Sequence, residues 1–181
     1  FFDRDILSPI WTYQHGYDVE TVAISADGEY IVAGSSLSND DGVVRLFTKD
    51  SGTPLWSYTT SRGVISVSIS ADGENIVVGD NDGFIHLFDK DSGTPVWTDV
   101  AGDHISSVEI SLDGNYIIVA SKDSYVYFFE RESDTPLLTY ECSGDAVDAS
   151  ISSSGEYVVA GCGYGEISVF SKESGSPLWS F

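Results

Sequence analysis

The residues of this 181-residue chain whose types could support chemistry are few: three histidines, two cysteines, a recurring basic residue and a set of acidic turns. His15, His86 and His104 occupy unrelated places when the chain is aligned with itself, so they are not expected to converge on a metal. His86 stands where the matching segments carry Arg45, Tyr127 and Ser168, which marks a tolerant site. Asn39-Asp40-Asp41-Gly42 and Asp80-Asn81-Asp82-Gly83 resemble acidic calcium loops. A calcium site needs six or more oxygens, however, and neither turn has spaced acids followed by a distal Glu; Asn, Asp and Gly are also what a tight hairpin requires. Lys49, Lys90, Arg131 and Lys172 recur in register, each followed by an acid, which suits ion pairing within a turn better than a partner site. Cys142 and Cys162 match no zinc spacing and have no neighbouring His; they are either a disulfide or two small core residues. No Ser, His and acid combination has distinctive spacing. The chemistry-bearing residues therefore call for no catalytic centre, no cofactor and no metal.

Composition narrows the partners. Eight Lys+Arg against 29 Asp+Glu give a net charge of −21, which repels nucleic-acid phosphates and anionic lipid. Such a surface suits solubility at high ionic strength, cation binding or a basic protein partner. Hydrophobic residues at 41% and aromatics at 13% supply a core, and no apolar run approaches membrane-spanning length. The compartment is not fixed by two cysteines; the acidic, Ser-rich character leans towards an extracellular or cell-surface one. There is no Met, so the chain is expected to be processed or excised, with a lost signal peptide compatible with that.

The elements that would position these residues come from a repeat. Pro9, Pro54, Pro95, Pro136 and Pro177 recur after 45, 41, 41 and 41 residues, and Gly28, Gly73, Gly114 and Gly155 keep the same steps. The longer first step lies in Ser35–Gly42. Each period reads as four short strands. In the second copy, Ile65, Val67 and Ile69 alternate onto one face. Ala71-Asp72-Gly73-Glu74 then turns the chain. Ile76-Val77-Val78 is apolar on both faces, as a strand covered on both sides must be. Phe84–Phe88 and a strand around Val96 and Trp97 complete the unit. Phe47, Phe88, Phe129 and Phe170 form one aromatic column; Trp11, Trp56, Trp97 and Trp179 form a second, with Leu138 in the missing place. Both columns are expected as core between neighbouring units.

Four short strands per unit of about 40 residues, repeated, are the signature of propeller blades. The expected fold is all-β: a β-propeller of four-stranded antiparallel blades over 1–181, with repeats at about 19–58, 64–99, 105–140 and 146–181. Phe2-Asp3-Arg4-Asp5 is in phase with Phe47-Thr48-Lys49-Asp50, so 1–13 reads as the end of a preceding blade and Pro9–Tyr13 as its fourth strand. A half-blade plus four complete blades points to part of a larger propeller, or to closure with a second copy, and open blade edges invite self-association.

Ser-x-Asp-Gly at Ser25–Gly28, Ser70–Gly73 and Ser111–Gly114 resembles the first hairpin of WD-repeat blades. Leu87-Phe88-Asp89 falls where the Trp-Asp pair would sit, with Phe for Trp, and no copy has the Gly-His dipeptide. Asp89-Lys90-Asp91-Ser92-Gly93-Thr94-Pro95-Val96-Trp97 resembles the tryptophan-docking motif of quinoprotein-like (PQQ-like) propellers; Gly52–Trp56 and Gly175–Trp179 keep its last spacing. That resemblance implies blades locked to their neighbours and does not imply a quinone.

The functional expectation is a non-enzymatic scaffold that binds a protein or other macromolecule through loops at one end of the blades. The recognition residues are sought where matched copies differ: Ser38, Asn39, Asp40 and Asp41 in the insertion, His15 and Tyr17 before the first unit, and Arg62 and His104 in later connections. The alternatives are a quinone-dependent or other enzyme whose site lies in further blades, and an architectural cell-surface array.

Overall fold

The computed structural model describes residues 8–37 and 40–181, where regular structure is β apart from a short 3-10 turn at Gly163–Gly165. Phe2–Asp5, Ser38 and Asn39 lie outside the described residues. Sixteen strands form four sheets: β1 (Val19–Ile24), β2 (Tyr30–Ser36), β3 (Gly42–Thr48) and β4 (Trp56–Thr60); β5 (Val64–Ile69), β6 (Asn75–Asp80), β7 (Phe84–Asp89) and β8 (Trp97–Val100); β9 (Ile105–Ile110), β10 (Tyr116–Ser121), β11 (Tyr125–Glu130) and β12 (Leu138–Glu141); β13 (Ala146–Ile151), β14 (Tyr157–Cys162), β15 (Ile167–Ser171) and β16 (Trp179–Ser180). Each sheet is an antiparallel meander in chain order. The first strands β1, β5, β9 and β13 pack against one another in series, and each of the last three also meets the second strand of the sheet before it. This is the face-to-face stacking of propeller blades.

One apolar cluster fills each joint between sheets. At the first joint, Val32, Val44 and Leu46 meet Val64, Val67, Ile69, Ile76, Val78 and Phe88. β6 is buried at every position because sheets cover both its sides. Simple alternation would place Ile65 with Val67 and Ile69, and here the structure differs. The register steps from Val64↔Asp80 to Ser66↔Gly79, a β-bulge that turns Ile65 away and drives Val64 into the joint. The same bulge opens β1, β9 and β13. The second strand of the preceding sheet makes room for the bulged residue: a Cβ on Gly34 would lie 2.4 Å from Val64 Cγ1, and one on Gly79 2.4 Å from Ile105 Cγ2.

Indole rings lock the rim. Trp11, Trp56 and Trp97 donate their Nε1–H to the carbonyls of Lys49, Lys90 and Arg131 at 2.7, 2.8 and 2.8 Å, and stack on Phe47, Phe88 and Phe129. Each thus ties an outermost segment to the third-to-fourth-strand turn of the following sheet. Leu138 retains the packing without a donor. The fourth strands are shorter than expected. Proline has no N–H to give the ladder, the next residue makes a single bond back (Val96 N–H to Leu87 O, 2.7 Å), and the ladder resumes at the Trp. Pro177–Phe181 accordingly holds strand only at Trp179–Ser180, and residues 9–13 belong to none of the four sheets.

The Ser-x-Asp-Gly hairpins are structural. Ser25, Ser70 and Ser111 each donate to the following Asp at 2.6 Å and accept the N–H of Tyr30, Asn75 and Tyr116 at 3.0 Å. Where the fourth copy has Ser154 for the Asp, the bond from Tyr157 N–H to Ser152 Oγ (2.9 Å) persists. Gly73 is required twice over: its φ is +75°, and a Cβ would lie 2.4 Å from the Tyr30 ring. Cys142 and Cys162, left open by the sequence, form a disulfide within the apolar cluster of the last joint, Cα–Cα 5.7 Å.

Candidate binding face

In a four-strand meander, the turn between strands two and three lies at the same end as the start of strand one and the finish of strand four. The connections between sheets and the second hairpins therefore emerge together. At that end a cleft of about 400 Å³ opens among Asp40, Arg62, Ile65, Asn81, Asp82 and His104. Ile65, turned out by the bulge, forms part of its wall. Three of the expected recognition residues, Asp40, Arg62 and His104, meet here. Asp40 holds a left-handed backbone (φ 71°), which a short Asp tolerates, and its Oδ2 accepts from Arg62 NH1 at 3.2 Å. Both partners are exposed, so this pair organises charge at the mouth and adds little stability. The backbone N–H of His104 donates to Asp103 Oδ1 at 2.7 Å, and its ring Nδ1 stands 3.7 Å from the same oxygen. Asp41 closes the loop base through its carbonyl, which accepts Leu37 N–H at 2.6 Å.

His15 does not join this cleft. The segment before β1 folds along the first sheet, which brings His15 Nδ1 to 2.8 Å from Arg45 NH1 and 3.3 Å from Ser35 Oγ, with the Tyr13 ring edge-on. Burial and then the Arg45 charge lower its pKa. It borders an apolar recess with Trp11, Tyr13, Val22 and Phe47 on the outer face of the first sheet. Tyr17 is exposed and lines neither cavity. His86 is more enclosed than a tolerant site suggests. It is 5% exposed, with the Tyr58, Phe84 and Phe88 rings around it, and burial lowers its pKa to about 4.

Three acids anchor the same end: Asp80, read from the sequence only as part of a tight acidic turn, and Asp123 and Glu166, which the sequence did not single out. Asp80 Oδ1 accepts the N–H groups of Asp82 and Phe84, both at 2.9 Å, while its Oδ2 is 3.4 Å from Ser61 Oγ in the incoming connection. Its burial raises its pKa despite these donors. Asp123 Oδ2 accepts Gly102 N–H and Tyr127 OH, both at 2.6 Å. Burial, followed by this bond, raises the Tyr127 pKa. Glu166 accepts Ser143 N–H at 2.9 Å and the Tyr140 hydroxyl; bonds from Ser143 and Tyr140 draw its pKa down to about 2. In each case a carboxylate of the second hairpin staples the connection that enters its own sheet. The recurring cations behave in two ways. Lys49 and Lys90 pair within their sheets with Glu29 (2.6 Å) and Glu74 (3.0 Å), whereas Arg131 and Lys172 reach the preceding sheet, at Asn75 and the Tyr116 ring.

Four antiparallel blades with indole locks at successive rims define a propeller of the quinoprotein-like repeat class. A family model described as outer membrane protein assembly factor BamB matches residues 8–110 and 40–181, and the chain belongs to that PQQ-like repeat family. No individually curated protein matches the chain.

Proposed function

We propose that this chain is a non-enzymatic propeller scaffold whose connection end grips a protein partner, with Asp40, Arg62 and His104 at the contact. The observation that carries the reading is the cleft itself: it is built from residues that differ between otherwise matched copies, and the connections that carry Arg62 and His104 are stapled to their sheets by Asp80 and Asp123. Rigid loops lose little freedom on binding, so their side chains can discriminate at low entropic cost. The −21 charge favours a basic segment in the partner. The matched family is described as an outer membrane protein assembly factor, and a part in assembly fits a scaffold. We place the cleft on a propeller of more than four blades, with residues 8–13 in the position of a further blade's outermost strand.

The test is photo-crosslinking from position 62 in the native host, with the wild-type loop and with residues 37–41 shortened to the Asp80–Gly83 pattern. A specific protein adduct that is lost on shortening supports the assignment. An adduct unaffected by the shorter loop removes it, and so does a stoichiometric chromophore seen by absorbance in the purified protein, which would favour the redox alternative.

A further inference from the structure

An indole closes the rim turns at Lys49, Lys90 and Arg131, and the turn at Lys172 has Leu138 instead. We propose that the gap at Leu138, in the joint between the third and fourth sheets, binds a small ligand built on an indole ring. The ligand takes the place that a tryptophan side chain holds at the other rim turns. Both walls of the site come from successive sheets inside the chain. It lies with the third-to-fourth-strand turns, at the end of the blades opposite the cleft, so it stands apart from the scaffold reading.

The filled positions define what the gap would hold. The rings of Trp11, Trp56 and Trp97 stack 5.5, 5.2 and 5.5 Å from Phe47, Phe88 and Phe129, which are at most 1% exposed beneath them. Each indole N–H also has its carbonyl acceptor. The turn then closes on the side chain: a Cβ on Gly52 would lie 3.3 Å from Trp11 Cε3, and one on Gly93 3.1 Å from Trp56 Cβ. Phe170, Lys172 and Gly175 keep these parts in the fourth sheet, but Leu138 does not fill the space between them. No N–H among the described residues reaches the Lys172 carbonyl. A Cβ on Gly175 would meet nothing nearer than Leu138 Cδ2, 3.7 Å away, and Phe170 is 7% exposed. Tyr140 stands closer to its Phe than the matching Tyr58 does, 4.4 Å against 5.1 Å between ring centroids. Even so, a cavity of about 30 Å³ remains among Val126, Phe128, Leu138, Val158, Phe170 and Gly175.

The chemistry of the walls selects the occupant. Water entering an apolar space with one free carbonyl lacks the further polar partners that would hold it there. An apolar ring, by contrast, regains the dispersion contacts that the lining forfeits to a void. A flat aromatic stacks on Phe170 as the tryptophans stack on their own Phe residues, and a single N–H on its edge satisfies the Lys172 carbonyl. Indole combines the two properties. The cavity is smaller than the whole ring, so Leu138, only partly buried on the outermost strand, turns aside as the ligand enters.

The experiment is an NMR titration of the isotope-labelled chain with indole, read at the amides of residues 138–140 and 170–175. Shifts confined to these residues should saturate with a Kd of about 1 mM or tighter. The probe 1-methylindole keeps the ring and loses the donor, so it should bind about fivefold more weakly. Leu138→Trp fills the site with an indole of the chain's own and should abolish binding. Gly175→Leu blocks the site from the turn and should do the same, which keeps the test intact should Leu138→Trp misfold; melting checks both folds. Leu138→Ala enlarges the site and should bind indole at least about fourfold more tightly, the worth of one more buried methylene. Shifts that never saturate or that spread to the other joints would overturn the proposal. So would 1-methylindole binding as well as indole, or folded Leu138→Trp or Gly175→Leu binding like wild type; the gap would then be a packing defect.

Discussion

Lowering the pH should loosen the first joint through His86. The ring is 5% exposed, its Nδ1 is 2.9 Å from Thr98 Oγ1, and its Nε2 has no hydrogen-bond partner among the described residues. Nothing there compensates an imidazolium, so burial depresses the pKa from 6.5 to about 4. In the unfolded chain the same ring takes up its proton below about pH 6.5, so the unfolded state gains as pH falls. Linkage with those two values gives a loss of about 2 kcal/mol between pH 7.5 and pH 5, levelling off below the folded pKa at about 3 kcal/mol. For a chain of this size that is roughly 4–8 °C in Tm. The assay is thermal or urea unfolding of wild type and His86→Leu at both pH values. All other carboxylates and histidines are common to the two proteins, so the difference between their pH slopes isolates this ring. His86→Leu should lose less stability on acidification by about 2 kcal/mol. Equal slopes would refute the reasoning, as would an NMR titration placing His86 near its ordinary value.

Other parts of the fold give sharp outcomes. Replacing Cys142 and Cys162 with Ala opens a bridge between residues 20 apart in sequence, and calorimetry should register a loss of about 3 kcal/mol. Trp56→Leu removes the bond to the Lys90 carbonyl while keeping a side chain that the third sheet already uses at Leu138; urea unfolding should show a fold retained and about 1–2 kcal/mol lost. Gly79→Ala sets a methyl 2.4 Å from Ile105 Cγ2 and should cost about 1–3 kcal/mol, whereas Gly161→Ala, with open space above it, should melt like wild type.

The repeat was legible because every internal joint has to bury the same two faces. Proline, glycine, Phe and Trp therefore recur in step, and the doubly apolar second strand needs no other explanation. The bulge was not legible. Val64 and Ile65 are both apolar, and only the pairing with β6 decides which one enters the joint. At the candidate site, the convergence of Asp40, Arg62 and His104 follows from meander topology alone. The departure of His15 does not, because the fold of 9–13 along the first sheet carries it to Arg45 and Ser35. The shared role of Asp80, Asp123 and Glu166 was hidden for a different reason. They perform one task from 7, 9 and 11 residues after their turn glycines, so a strict repeat alignment never superimposes them. Side-chain reach, rather than position in the period, selects the acid that can staple.

These staples change what the acidic composition means. Asp27 and Asp72 close first hairpins, Glu29 and Glu74 hold the rim lysines, and Asp80, Asp123 and Glu166 fix the connections. A good part of the negative charge is therefore engaged in holding turns still. Asp82 and His104, by contrast, stand at the mouth of the cleft on backbone that Asp80 and Asp123 hold in place, and Asp40 stands beside them. On the scaffold function proposed above, a partner meeting that end would find charge preset at Asp82 and His104 rather than on a loop that must fold around it. Affinity there should depend on the identity of residues 40, 62 and 104 far more than on the flexibility of the segments that carry them.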